Sequence, residues 1–166
     1  GGIANACYHT HRERLARGEE PGLTALLMTL PGNDELAGST LFIDTKTVSG
    51  KRVLVIRALN PTEAIIRKSL DARAVVEATI AYAKDVALAT QDSSQPIQEI
   101  RLCFDHRGGH STNRQEVHQA EVELVKDRGW EVGEALKDTT ETNFNGYNIH
   151  DASQTRIVWR SESVPS

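Results

Sequence analysis

Residues 51–90 read KRVLVIRALNPTEAIIRKSLDARAVVEATIAYAKDVALAT, and this stretch decides the fold. It opens on Val53, Leu54, Val55 and Ile56, a β-branched and aliphatic run that suits an extended chain. Such a run has no polar face, so the strand is expected to be covered on both sides. Asn60-Pro61 ends it, because proline offers no N–H to a ladder and turns the preceding residue away from helix. A long helix is predicted next, capped by Ser69 or Asp71, with Val76, Ile80, Ala83 and Ala87 recurring at helical spacing. A polar loop over residues 91–95 leads to Pro96 and a second strand, residues 97–104, whose apolar positions are Ile97, Ile100, Leu102 and Phe104. Strand, helix, strand is a β-α-β unit, with parallel strands and a right-handed crossover.

Upstream of this unit, residues 4–19 read as a helix with Leu15 and Ala16 as its thin apolar contacts, broken by Pro21-Gly22. Residues 23–30, LTALLMTL, form a short apolar run between turn signals and read as a strand. Residues 38–48 read as another strand, with Leu41, Ile43 and Thr45 on one face and Phe42, Asp44 and Lys46 on the other. Ser49-Gly50-Lys51 is a hairpin connection into the central strand, so three strands make an antiparallel meander. Downstream, Ser111, Thr112 and Asn113 offer N-cap side chains, and Asn113 with Glu116 has capping-box spacing. The helix that follows runs to about Arg128, with Val117, Ala120, Leu124 and Glu121 on its inner edge. Gly129 is placed to end it in the left-handed conformation, with Trp130 next. A turn-rich segment, residues 143–148, precedes Ile149 and a last strand or hairpin over residues 156–160. The fold class is therefore α/β with a mixed sheet: a meander, then β-α-β-α, then terminal strands, in a single domain spanning residues 1–166.

Composition narrows the function. The chain has 166 residues, 39% of them hydrophobic and 25% charged, which suits one ordinary globular domain with a substantial core. A net charge of −4 argues against a dedicated nucleic-acid binder, and Arg12, Arg14 and Arg17 are read as a solvated helix face. Cys7 and Cys103 give neither a disulfide framework nor a zinc spacing, which points to a reducing, cytoplasmic setting with Cys103 as a buried thiol. No apolar run approaches the roughly 18 residues of a membrane helix, so no membrane partner is expected. The chain opens on Gly1-Gly2 with no methionine, and a piece of a longer protein is one reading of it.

The order of elements resembles the GNAT N-acetyltransferase superfamily from its second helix onward. The local motif is Leu124-Val125-Lys126-Asp127-Arg128-Gly129-Trp130, which looks like that superfamily's helix ending: an aliphatic, a tyrosine, polar residues, then glycine and an aromatic. The likeness covers most of the chain in topology and a handful of residues in motif. It implies an acyl-CoA-dependent N-acyltransferase, with acetyl-CoA or another acyl-CoA as donor and a small-molecule or peptide amine as acceptor. It also implies that backbone groups of Arg57, Ala58, Leu59 and Asn60 hold the pantetheine arm. Two positions depart from the family. The place of the Q/R-x-x-G-x-G/A phosphate loop holds Asn60-Pro61-Thr62-Glu63-Ala64-Ile65-Ile66-Arg67-Lys68-Ser69, with no glycine. There Arg67 and Lys68 supply charge instead, opposed by Glu63. The helix tyrosine that acts as general acid is Val125, which has no proton to give. A catalytically inactive binding or scaffolding module of the same fold is therefore the alternative.

The most suggestive loop is Asp105-His106-Arg107-Gly108-Gly109-His110. It lies past the carboxyl end of a strand and before a helix, where open α/β sheets gather ligands. Two glycines free backbone N–H groups for an anion, with Asn113 and Arg114 next door, and the histidines titrate near neutrality. Asp105, His106 and His110 are the candidates for general base; a flexible turn with a capping cluster explains the same residues. No third ligand stands beside His106 and His110, so no metal is expected. Tyr147, His150 and Trp159 are candidates to line a cleft or to sit in the core. Cys7, followed by a histidine and then Asn143 or Asp151, has the chain order of papain-like hydrolases, which makes a cysteine hydrolase a third reading.

Overall fold

The computed structural model describes residues 23–29, 36–62, 71–103, 112, 114–137 and 155–162. Among these residues, five strands and two helices follow one another as β1 (Leu23–Thr29), β2 (Leu36–Lys46), β3 (Arg52–Pro61), α1 (Ala72–Ala89), β4 (Glu99–Cys103), α2 (Gln115–Arg128) and β5 (Thr155–Arg160). They build one mixed sheet in the order β1-β2-β3-β4-β5. The meander is there: β1 with β2 and β2 with β3 are antiparallel. The β-α-β unit is there as well, since β3 and β4 are parallel neighbours joined through α1. β5 closes the row antiparallel to β4. The expected helix over residues 4–19 lies outside the described residues.

Alternation along the strands divides the side chains between two faces. Phe42, Leu54, Ile56, Ile100 and Leu102 join one buried cluster with Val75, Val76, Ile80, Ala83 and Ala87 of α1 and Val117, Ala120 and Leu124 of α2. Both helices therefore cover the same face. Leu41, Ile43, Val53 and Val55 alternate onto the other face and are buried too, so the apolar run of β3 is covered on both sides. Asp71 caps α1, its carboxylate accepting from the Arg73 N–H at 3.0 Å, one of the two cap residues expected. Gly129 ends α2 at φ 62, the left-handed position that an L side chain resists. The α2 cap falls at Arg114, one residue past Asn113, because the Thr112 hydroxyl accepts the Arg114 N–H at 3.1 Å and holds that residue extended. Two ion pairs fasten the helices: Arg73 to Asp127 at 3.1 Å and Arg128 to Glu77 at 2.7 Å.

The second face is closed partly by residues 131–137. This segment bridges Glu131 to Ile157 on β5 at one end and Leu136 to Thr47 beyond β2 at the other. It crosses above Arg101, which is entirely buried and donates from Nη1 to the Glu134 carbonyl at 2.7 Å. At Gly133 the strap passes so close that a Cβ would stand 2.6 Å from Arg101 Nη2 and 2.6 Å from Ile157 Cδ1. Arg101 is pinned by its hydrogen bonds, and the Ile157 side chain is buried at 6% exposure, so room to yield is small. Gly133→Ala is expected to cost about 2–3 kcal/mol through this overpacking, read as a lower urea midpoint with an unchanged slope. A midpoint equal to that of the wild type would mean that the strap yields and does not grip Arg101.

Candidate functional site

Among the described residues, 53–56 of β3 pair with 99–102 of β4, and β3 runs on against β2 to Pro61. Its register with β2 shifts near that end. Leu41 faces Arg57 and Ser39 faces Asn60, so Ala58 and Leu59 together stand opposite Thr40. Two residues against one is a bulge, which bends the strand that carries it and increases its twist. Ala58 takes φ 56 there, the one non-glycine residue at positive φ among the described residues. Left-handed backbone costs an alanine about 1–2 kcal/mol. Leu59 is 0% exposed, and burying a leucine returns about 1.5–3 kcal/mol, so packing holds the bulge in place. Thr40 Oγ1 donates to the Arg57 carbonyl at 3.0 Å and satisfies a buried acceptor where the ladder is irregular.

The carboxyl end of β3 is tied to the start of α2. Thr112, itself 0% exposed, donates from its hydroxyl to Asn60 Oδ1 at 3.3 Å. Arg114 donates from Nε to the Pro61 carbonyl at 3.1 Å. These two contacts make a clasp from the start of α2 to the end of β3. Arg57, Ala58 and Leu59 are 3%, 1% and 0% exposed, backbone included, and Asn60 is half-buried.

The expected site residues divide into two groups. Arg57, Ala58, Leu59 and Asn60 lie together at the carboxyl end of β3. Asp105, His106, His110, Asn113, Arg67, Lys68 and Cys7 lie outside the described residues, as do Tyr147 and His150. Trp159 lines, with Trp130 and Arg160 among others, a cavity of about 400 Å³ beside β5, and a second of about 360 Å³ with Leu88 and Gln91. Both tryptophans also pack against the core cluster. The sequence reading missed Thr40, Ala58 as a strained residue, and the clasp. Threonine and alanine carry no signal for a bulge, and Thr112 was legible only as a cap.

The electrostatics of α2 add one unusual group. Glu121 is 0% exposed and neither of its carboxylate oxygens accepts a hydrogen bond. Burial pushes its carboxyl well above the ordinary carboxylate range. Glu134, on the strap, is moved the other way, because the Ser49 hydroxyl donates to Oε2 at 2.6 Å and favours the charged form. Among the described residues no group of three metal-binding side chains comes together, and no helix is long and apolar enough to cross a membrane.

Compared with protein-family models, with curated proteins and with solved structures, the chain shows no match.

Proposed function

We propose that this domain is a GNAT-like acyltransferase-type module that holds an acyl-CoA at the carboxyl end of β3. The observation that supports the reading is the order of the sheet, a meander followed by a parallel β3–β4 pair joined through α1, with β3 bulged at Ala58 near its carboxyl end. Pantetheine carries two amides on a narrow chain, and strand-end backbone is a natural hydrogen-bond partner for them. In this reading the backbone of residues 57–59 holds the arm and Asn60 meets its end. Asp105, His106 or His110 takes the proton from an attacking amine, and Arg67, Lys68 and Asn113 face the phosphates. The acceptor is a small-molecule or peptide amine, and the setting is the cytoplasm.

A second reading keeps the ligand and drops the chemistry. Val125 stands where the resemblance calls for a proton-donating tyrosine, and residues 60–69 carry no glycine. A binding module of this kind would hold the thioester without consuming it.

Thermal unfolding with a panel of coenzyme A thioesters tests the ligand. At a hundredfold excess over the dissociation constant the complex gains about 2.7 kcal/mol, or roughly 5–10 °C in midpoint for a chain of this size. A panel that leaves the midpoint unmoved, with no heat by titration calorimetry, removes both readings. A shift with no acylated amine formed favours the binding module.

A further inference from the structure

We propose that the seating of α2 on the sheet is gated by the proton on Glu121, so that the helix clasps the end of β3 only while that carboxyl is neutral. The gate acts on the same end of β3 as the reading above but does not depend on which ligand binds there. Three observations meet here. Glu121 is fully buried in the inner face of α2, together with Val117, Ala120 and Leu124. Neither oxygen has a hydrogen-bond partner. And α2 begins at the clasp, where Arg114 holds the Pro61 carbonyl and Thr112 holds Asn60.

The charges around Glu121 do not compensate it. On α2 itself Arg114 is spent on Pro61, and Arg128 is held by Glu77. His118 stands one turn before Glu121 and Lys126 lies in the last turn. On α1, Arg73 and Glu77 close on Asp127 and Arg128, and Lys84 and Asp85 lie further along the helix. β3 and β4 present Leu54, Ile56, Ile100 and Leu102 to the helices, with no charge among them. From β5, Arg156 stands opposite Leu102 and so on the helix side of the sheet, with Nη1 donating to the Thr155 carbonyl. None of these hydrogen-bonds the Glu121 carboxyl.

A carboxylate in such a place has lost its hydration and gained nothing in exchange. Once ionised, it is driven toward water, and the middle turn of α2 must move with it. The clasp is two to three turns away on the same rigid helix, so it opens as the helix lifts. Neutral Glu121 has no such drive and lets the apolar stripe close on the sheet.

Hydrogen exchange on the whole chain, read by mass spectrometry from pH 5 to 9 and corrected for intrinsic rates, tests the gate. Wild type is compared with Glu121→Gln and Glu121→Leu. The expected result is that residues 117–125 of the wild type lose protection by about tenfold per pH unit over the range in which the lifted helix has released the proton and the seated helix still holds it, as one released proton requires. Both variants stay level. In the wild type α1 stays better protected than α2 throughout, because its exchange requires the whole domain to open. Protection of α2 that is flat in the wild type, or that falls equally in both variants, overturns the proposal. So does α2 protection no lower than that of α1, which would be unfolding of the whole domain.

Discussion

Arg101→Ala is expected to lose about 3–5 kcal/mol of stability, the cost of stranding one member of a buried ion pair. Arg101 is 0% exposed and Glu99 is 5% exposed. The guanidinium donates to Glu99 Oε1 twice, from Nη2 at 2.9 Å and from Nε at 3.1 Å, and its third arm reaches the Glu134 carbonyl. Truncation leaves three groups in difficulty. Glu99 keeps only Lys51, 3.9 Å from its other oxygen and half exposed. The Glu134 carbonyl loses its donor, and the strap over residues 131–137 loses the group it packs on. The thermal midpoint should drop by roughly 10 °C. The paired replacement Glu99→Leu with Arg101→Met separates mechanism from volume. Apolar side chains of similar size need no compensation, so the double variant should recover most of the loss. If the double variant is as unstable as the single one, the pair is contributing through shape alone and the electrostatic account is wrong.

Glu121→Leu should act in the opposite direction and stabilise the domain by about 1–3 kcal/mol at neutral pH, the usual cost of burying an unpaired polar group. The sign of its pH dependence follows from the raised carboxyl. In the unfolded chain Glu121 gives up its proton near the ordinary value of 4.5, while in the folded chain burial holds the proton to higher pH. Between those two points the folded state binds one more proton than the unfolded state. Stability contributed by this group is therefore complete below the ordinary value and declines as pH rises, by up to about 1.4 kcal/mol per pH unit while the difference lasts. Leucine has no proton to keep, so the gap between variant and wild type should widen from pH 5 to pH 8. Urea midpoints at those two pH values measure it. Parallel stability curves would show that Glu121 finds compensation when ionised, and the gate on α2 would fall with it.

Both groups sit at positions whose place in the fold was readable and whose chemistry was not. The helical period put Glu121 on the inner edge of α2 beside Val117, Ala120 and Leu124, and that is where it lies. Nothing in the period says whether a cation waits opposite. Ile100 and Leu102 marked one face of β4, and alternation put Glu99 and Arg101 together on the other. Whether that other face meets water depends on a segment some thirty residues later, held there by the Glu131–Ile157 and Thr47–Leu136 bridges.

The same division holds for the end of β3. Arg57, Ala58, Leu59 and Asn60 were legible as the carboxyl end of the central strand, because the apolar run of β3 and the Asn60-Pro61 pair mark it. The bulge within this end was not. It arises from a mismatch of one residue between β2 and β3, and an alanine at positive φ is paid for only by the packing of Leu59 around it.

By itself the sequence determined whatever is local and periodic in this protein. It settled the covered strand over residues 53–56, the buried stripe of α1 with its Asp71 cap, and the left-handed stop at Gly129, since each follows from side-chain shape and backbone geometry within a few residues. Only the tertiary structure decided where the central strand bulges, which polar side chains go under cover, and which of them arrive there with a partner. Those outcomes depend on what packs across from a residue, and a period specifies the direction a side chain faces without specifying what it meets.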